Sequence, residues 1–278
     1  MKKILGIIII ISILVFLYLY YENNCLQISE YNIIDNKIPD NFNNYKIIQV
    51  SDFHNTKSRI LTKTLIKEIK KNKPNIIVLT GDLIDSKKIN LNIAIEFIKE
   101  INDIAPIYFI SGNHEANISN YSYFKDKLEE NKVIILDNKL HILKENESEI
   151  NLIGINDPTM KNNPYETDDE IIEFEIDSID YNKNNYTILL SHRPELFENY
   201  VNHDIDLVLS GHAHGGQIRI PFVGGLVAPN QGLFPNYTSG KKEKRNTTMI
   251  ISRGIGNSIL PFRINNRPEL VIITLNNN

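Results

Sequence analysis

From Ile4 to Tyr21 the chain carries no charged side chain, and only Gly6 and Ser12 interrupt its apolar character. At about 1.5 Å per residue such a helix reaches roughly 27 Å, enough to cross a hydrocarbon core of about 30 Å. The pattern predicts a transmembrane anchor over 1–21. Residues 22–44 are polar and Asn-rich, with a strand-like patch at Tyr31-Asn32-Ile33-Ile34. They read as a stalk merging into a first edge strand. From residue 45 short apolar runs alternate with helical periodicity. Strands are predicted at Lys46–Val50, Ile76–Leu79 and Ile107–Ile110. Between them lie a helix over Arg59–Asn72, with Leu61, Leu65 and Ile69 on one face, and another over about 90–103, burying Ile95, Ile98 and Ile101 or their neighbours. A short helix over 119–130 turns Tyr121, Phe124 and Leu128 inward.

The section from about 133 to 156 is β-rich, and Thr167-x-x-Glu170 is a capping box opening a helix to about Ile179. Further strands follow at 186–190 and 205–209, with a short helix started by Pro194 between them. After Gly- and Pro-rich loops come strands at Thr248–Ile251 and Leu270–Thr274. There is no internal repeat and no linker after residue 45. One α/β domain over 45–278 is the economical reading.

Composition narrows this only slightly. The chain has 278 residues and a net charge of −4, with 42% apolar content, so a packed core is within reach. A mildly acidic chain lacks the positive footprint of a duplex binder, which argues against nucleic acid. Cys25 is the only cysteine, so no intrachain disulfide forms. Lys2 and Lys3 precede the apolar run and no Lys or Arg follows it until Lys37. The positive-inside rule then puts the N-terminus in the cytoplasm and the body outside the cell membrane. Tyr18, Tyr20 and Tyr21 sit where an aromatic belt would lie. The flank Tyr20-Tyr21-Glu22-Asn23-Asn24 is a poor cleavage site, which favours an uncleaved anchor over a signal peptide. Nothing points to a protein partner.

Polar clusters recur just after the strands: Ser51-Asp52-Phe53-His54, Gly81-Asp82-Leu83-Ile84-Asp85, Gly112-Asn113-His114-Glu115, Ser191-His192 and Gly211-His212-Ala213-His214. In α/β sheets ligands bind beyond the carboxyl ends of strands, so these clusters can converge. Of seven histidines, only His141 and His203 fall outside them. Taken singly, Asp52 reads as a turn carboxylate, Asp82 as a helix cap and Asn113 as a loop residue. Together, two Asp, one Asn and four of the His offer more ligands than one tetrahedral ion needs. They suit two ions about 3.5–4 Å apart, which can bind a phosphoryl group, activate a water and stabilise a leaving oxygen. No cysteine takes part, which excludes a Cys-based structural zinc site.

Asp-x-His, Gly-Asp-x-x-Asp, Gly-Asn-His-Glu, a lone His and Gly-His-x-His, in this order from about Tyr45 to Thr274, resemble the calcineurin-like metallophosphoesterases. The run Gly211 to Pro221 and the later Ser252-Arg253-Gly254-Ile255-Gly256-Asn257 are similar to a bacterial membrane-associated branch. That branch includes phosphodiesterases and enzymes that cleave the pyrophosphate of UDP-diacylglucosamine. The resemblance implies a four-layer sandwich of two mixed sheets flanked by helices. It implies that Asp52, His54 and His214 hold one metal, that Asn113, His192 and His212 hold the second, and that Asp82 bridges them. His114 would face the leaving group, oriented by Asp85. The ligand chemistry accepts Mn, Fe or Zn.

Arg253 and Arg193 are candidates to hold a substrate phosphate bidentately; Glu115 reads as structural. The apolar residues Phe222, Val223, Leu226, Val227 and Phe234 either pack under their loop or face lipid. The expected activity is a membrane-anchored two-metal phosphoesterase acting on a small-molecule or lipid phosphodiester or pyrophosphate. A non-catalytic phospho-ligand module or a protein phosphatase is the competing reading.

Overall fold

The computed structural model describes residues 2–161, 163–257 and 260–278, so Met1 at the head of the expected anchor lies outside the described residues. Helix α1 (Lys2–Asn24) runs three residues past the expected end and leaves its apolar length exposed. The chain then enters the domain directly. Strand β1 (Gln27–Ile34) pairs in parallel with the last strand, β16 (Glu269–Asn276). Ile38 and Phe42 are fully buried beyond it. Much of the expected stalk is therefore sheet and core.

Two six-stranded mixed sheets face each other. The first has the order β1-β16-β2-β3-β4-β5, with β2 (Tyr45–Val50), β3 (Ile76–Thr80), β4 (Ile107–Ile110) and β5 (Val133–Ile135) running parallel. The second sheet has the order β14-β15-β9-β8-β7-β6. Its strands are β6 (Lys139–Glu145), β7 (Ser148–Gly154), β8 (Thr187–Leu190), β9 (Leu207–Ser210), β14 (Gly240–Lys244) and β15 (Thr247–Ile251). Two small hairpins lie between β9 and β14: β10 (Arg219–Ile220) with β11 (Gly224–Gly225), and β12 (Val227–Ala228) with β13 (Gly232–Leu233).

Side chains alternate across a strand, and here both faces are covered, which is why the strands read as continuous apolar runs. Ile47, Val78, Ile110, Leu152, Ile188, Leu209 and Ile273 form the core between the sheets. Their neighbours Ile48, Ile77 and Leu79 face α2 (Arg59–Asn72), α3 (Leu91–Ile101) and, after the one-turn α4 (Asn113–Ala116), α5 (Tyr121–Glu130). On the far side Ile153, Leu189 and Val208 face α6 (Asp168–Asp177) and α7 (Phe197–Asn202). The result is helix, sheet, sheet, helix.

The local signals act as expected. The Ser58 hydroxyl accepts from Leu61 N at the start of α2, and Leu61, Leu65 and Ile69 are buried. Each such side chain contributes about 1.5–3 kcal/mol. Thr167 and Glu170 form the reciprocal capping box of α6. In α3 the buried face is Ala94, Phe97, Ile98 and Ile101, with Ile95 only half-buried. Phe97 wins because it stacks on Phe53, centroids 4.6 Å apart.

Candidate metal centre

The loops after β2, β3, β4, β8 and β9 all leave from the same end of the two sheets. Gln49 ties the sheets together there: its Nε2 donates to Thr80 Oγ1 (3.0 Å) in the first and to Ser210 O (2.9 Å) in the second. Directly after β2, β3 and β9 the chain turns sharply. Asp52, His54, Asp82, His212 and His214 all have φ between 45° and 66°, which L-residues seldom adopt. Gly112 and Gly211 sit against the carboxylates of Asp82 and Asp52, where a Cβ would collide with those side chains. Close approach, not freedom of φ, is what glycine supplies there.

These turns bring the expected ligands into one buried spot. His214 Nε2 is 3.2 Å from Asp52 Oδ1 and 3.1 Å from His54 Nε2. His192 Nε2 is 3.3 Å from Asn113 Oδ1 and 3.2 Å from His212 Nδ1. Asp82 Oδ2 lies between the groups, 3.6 Å from His54 Nε2 and 3.3 Å from His192 Nε2. Donor atoms of Asp52, His54 and His214 lie within 4.8 Å of one another, and so do those of Asp82, His192 and His212.

Each pair of facing imidazole nitrogens can share one proton, but the outward nitrogens are left over. Among the described residues His54 Nδ1 and His212 Nε2 are buried with no hydrogen-bond partner, a costly state for a polar atom. Burial drives His54 down to about 4, with His114 adding to the effect against the pull of Asp82. Burial also holds His212 and His214 well below the ordinary imidazole value, His192 and His54 respectively contributing next. Burial acts on His192 in the same sense, but Asp82, Asp52 and Asp157 outweigh it and raise it to about 10. An all-nitrogen-and-oxygen donor set of this kind fits first-row divalent cations.

The expected supporting residues fall in different places. His114 borders the centre, its Nε2 3.9 Å from Asp82 Oδ2. Ser86 N donates to its Nδ1 (3.0 Å), while Asp85 Oδ1 is 3.6 Å from the same atom. The backbone of Ser86, not the Asp85 carboxylate, makes the orienting hydrogen bond and leaves the neutral ring's proton on Nε2. Glu115 is fully buried and accepts from Asp82 N, Ile84 N and Gly112 N, stapling the loops after β3 and β4. Burial, then the Asp82 charge, pushes it up to about 8.

Arg193 departs from the expected phosphate contact. Its guanidinium is buried, with Nε and Nη2 on Asp157 (2.5 and 2.8 Å), Nη2 on Thr159 Oγ1 (2.9 Å) and Nη1 3.5 Å from Asp168 and Glu195. Every nitrogen has an acceptor. Arg253 lies against Gln27 Oε1 (3.2 Å) and Glu269 (3.8 Å). Two residues that the sequence did not single out reach the centre instead. Glu195 Oε1 is 3.7 Å from His212 Nε2, and buried Arg263 places Nη2 3.5 Å from His214 Nδ1. Neither stands in a motif, and no sequence signal marks them.

The calcineurin-like phosphoesterase family model matches residues 45–216. The chain belongs to this family. Its relatives include the uncharacterized metallophosphoesterase YkuE of Bacillus subtilis, 29% identical over 92% of this chain and 87% of that one. The phosphodiesterase YaeI of Escherichia coli is 25% identical over 85% and 84%. A Danio rerio transmembrane protein with a metallophosphoesterase domain is 26% identical over 86% of this chain and 55% of its own. The Thermus thermophilus TT1561 structure shares the fold at TM-score 0.51 and 12% identity, covering 76% of this chain and 90% of that one. The family uses a dinuclear metal centre, and the two donor clusters here fit one. The protein is a metal-dependent phosphoester hydrolase.

Proposed function

We propose that this enzyme is a membrane-anchored phosphoesterase that cleaves phosphodiester or pyrophosphate bonds at the outer face of the cell membrane. The observation that carries the site assignment is Asp82 Oδ2, which faces both donor clusters at once. Asp52, His54 and His214 would hold one ion, Asn113, His192 and His212 the other, and Asp82 both. The ions, Mn, Fe or Zn, would neutralise the phosphoryl oxygens and supply a water of lowered pKa. The chain's own groups do the rest. His114 presents its Nε2–H at the rim of the centre, where it can donate a hydrogen bond to the charge that develops on the departing oxygen. The Ser86 N–H holds the ring in that tautomer. The fixed turns of the five loops hold the donors in place before substrate arrives.

Helix α1, with 18 uncharged residues between Lys3 and Glu22, would anchor the enzyme with its N-terminus in the cytoplasm. The exposed, apolar character of the helix supports this reading. A relative's name as a transmembrane protein supports it further. The substrate class we infer is a small-molecule or lipid-linked phosphoester, nucleotide-sugar lipids such as UDP-diacylglucosamine included.

The test is turnover by purified full-length protein in detergent, with each metal in turn. The substrates are an aryl phosphomonoester, an aryl phosphodiester and a nucleotide-sugar pyrophosphate. Asp82→Asn is expected to abolish most turnover of the best substrate. Unchanged turnover in that variant would contradict the assignment, and absence of turnover with every metal would favour a binding module. Protease added to intact spheroplasts is expected to digest the body of the protein; full protection would reverse the topology.

A further inference from the structure

Between Arg219 and Lys241 the chain has no charged side chain. Yet this stretch is not core. It forms the two small hairpins, and Phe222, Val223, Leu233 and Phe234 stand exposed on them. Phe222 is completely exposed. Single exposed apolar residues are ordinary on a protein surface, but four large ones between residues 222 and 234 mark an interaction surface.

Position says what covers it. Asn265 Nδ2 donates to Arg219 O at the base of the first hairpin (3.1 Å). The same Asn265 accepts from Tyr18 OH (2.8 Å), and its N–H donates back to that hydroxyl (3.1 Å). The hairpin is thus tied through one residue to the point where the apolar length of α1 ends. Two residues on, Arg267 Nη1 donates to Tyr21 OH (2.9 Å), a second tie between this loop and α1. If Tyr18 and Tyr21 mark the membrane interface, the first hairpin lies at that level, beside the helix. The second hairpin continues the surface to the metal centre. Its Pro229 lines a cavity of about 400 Å³ together with Asp82, His114, His212 and His214.

We propose that the apolar hairpins at 220–234 insert into the outer leaflet beside α1, so that the mouth of the metal centre opens at the lipid surface. This rests on the reading of α1 as a membrane anchor. The occupant is lipid acyl chain, entered to the shallow depth of an interfacial segment. A phosphoester would then reach the centre from the headgroup layer, with its hydrophobic part left in the bilayer.

The test uses the full chain with Cys25→Ser, reconstituted in phosphatidylcholine–phosphatidylglycerol vesicles with or without brominated acyl chains. An environment-sensitive fluorophore is attached after Phe222→Cys, Phe234→Cys, Ile10→Cys or Glu147→Cys, one at a time. Glu147 is exposed in the turn between β6 and β7, at the end of the sheet away from the metal centre. We expect brominated lipid to quench the probe at 10, 222 and 234 but not at 147. Quenching at 10 with none at 222 and 234 overturns the proposal and leaves the anchor intact. No quenching at 10 overturns the anchor reading itself, and the proposal with it. Probes at 222 and 234 that brominated lipid does not quench, but that are shielded from aqueous iodide, would show protein covering the hairpins, which also overturns it. Val223→Cys and Leu233→Cys repeat the measurement should either first variant fail to fold. Turnover of a soluble aryl phosphodiester checks that each labelled protein retains its centre.

Discussion

Replacing Asp157 by Asn separates a structural role for Arg193 from a substrate-binding one. The two side chains are 0% and 6% exposed and meet through two hydrogen bonds. Burial alone would raise the Asp157 carboxyl, but bonding to Arg193 and its charge hold it below the usual range. Asp157→Asn keeps the shape and removes the charge. Breaking a buried pair by taking one partner costs about 3–5 kcal/mol, because the other charge is left uncompensated. Here Thr159, Asp168 and Glu195 still touch the guanidinium, so the low end, about 3 kcal/mol, is expected. For a domain of this size that is a drop in Tm of roughly 6–12 °C. The assay pairs a thermal melt of the metal-loaded protein with steady-state kinetics on an aryl phosphodiester well below the melting transition. KM should be unchanged, since Arg193 has no free donor to give a substrate. A melting temperature equal to that of the parent protein, or a KM that moves severalfold, would refute the reasoning.

In the metal-free protein His192, raised to about 10, carries a proton at neutral pH while the lowered imidazoles do not. Metal binding should therefore release about one to two protons at pH 7–8, one from His192 and part of one from Glu115, whose raised value rests partly on the Asp82 charge that the metal would neutralise, read by calorimetry in buffers of different ionisation enthalpy; no release would count against ligation by His192. A raised histidine stabilises the fold fully below its unfolded value and loses that contribution as pH climbs through the folded one. The metal-free protein should accordingly melt at lower temperature as pH rises from about 6.5 to 10, and bound metal should flatten the curve. Glu195→Gln should weaken metal affinity about 10–100-fold if the 3.7 Å approach of Glu195 to the unpartnered His212 Nε2 closes to a hydrogen bond on metal binding; equal affinity by competitive chelation would remove Glu195 from the site. His114→Ala should lower kcat about 10²–10³-fold, the cost of losing one donor to the developing charge, whereas Asp85→Asn should cost far less, since Ser86 N–H makes the closer contact. Equal losses in the two variants would restore Asp85 as the orienting group.

The strands and the cluster of candidate ligands were legible in the sequence for one shared reason. A strand buried on both faces must be apolar throughout, so β3, β4, β8 and β9 stand out as runs, and the polar residue after each run is conspicuous. Asp82, Asn113, His192 and His212 are visible because they break a pattern. Residues that act on the centre from the middle of unrelated segments break no pattern. Glu195 lies next to a Pro that starts a helical turn, and Arg263 lies among loop residues; each reaches a histidine only in three dimensions. The strand β14 was equally hidden. Its sequence, Gly-Lys-Lys-Glu-Lys, has no apolar face, because an edge strand needs only one neighbour and charged side chains discourage a second. Arg193 shows the converse problem. A sequence can place an arginine beside His192, but which carboxylate captures its head depends on Asp157, 36 positions away.

Strain and charge converge on the same few residues, and this constrains how the centre works. Five of the seven proposed ligands sit in left-handed backbone, a conformation that costs of order 1 kcal/mol at each non-glycine residue. The fold pins them from outside: Glu115 fixes the backbone of Asp82 and Gly112, Gln49 joins the strand ends, and Asp52 accepts from His212 N across the two sheets. A site assembled by the cation would have no need of these ties, since the ion itself would gather flexible donors. A site with its donors already fixed avoids that ordering cost when the ion and the phosphoryl group arrive. The rigid turns therefore favour a preformed cradle, in which binding energy is not spent on arranging ligands. The protonated His192, held by Asp82, supplies part of the positive charge that the ions would bring, and so keeps the carboxylate compensated until they do.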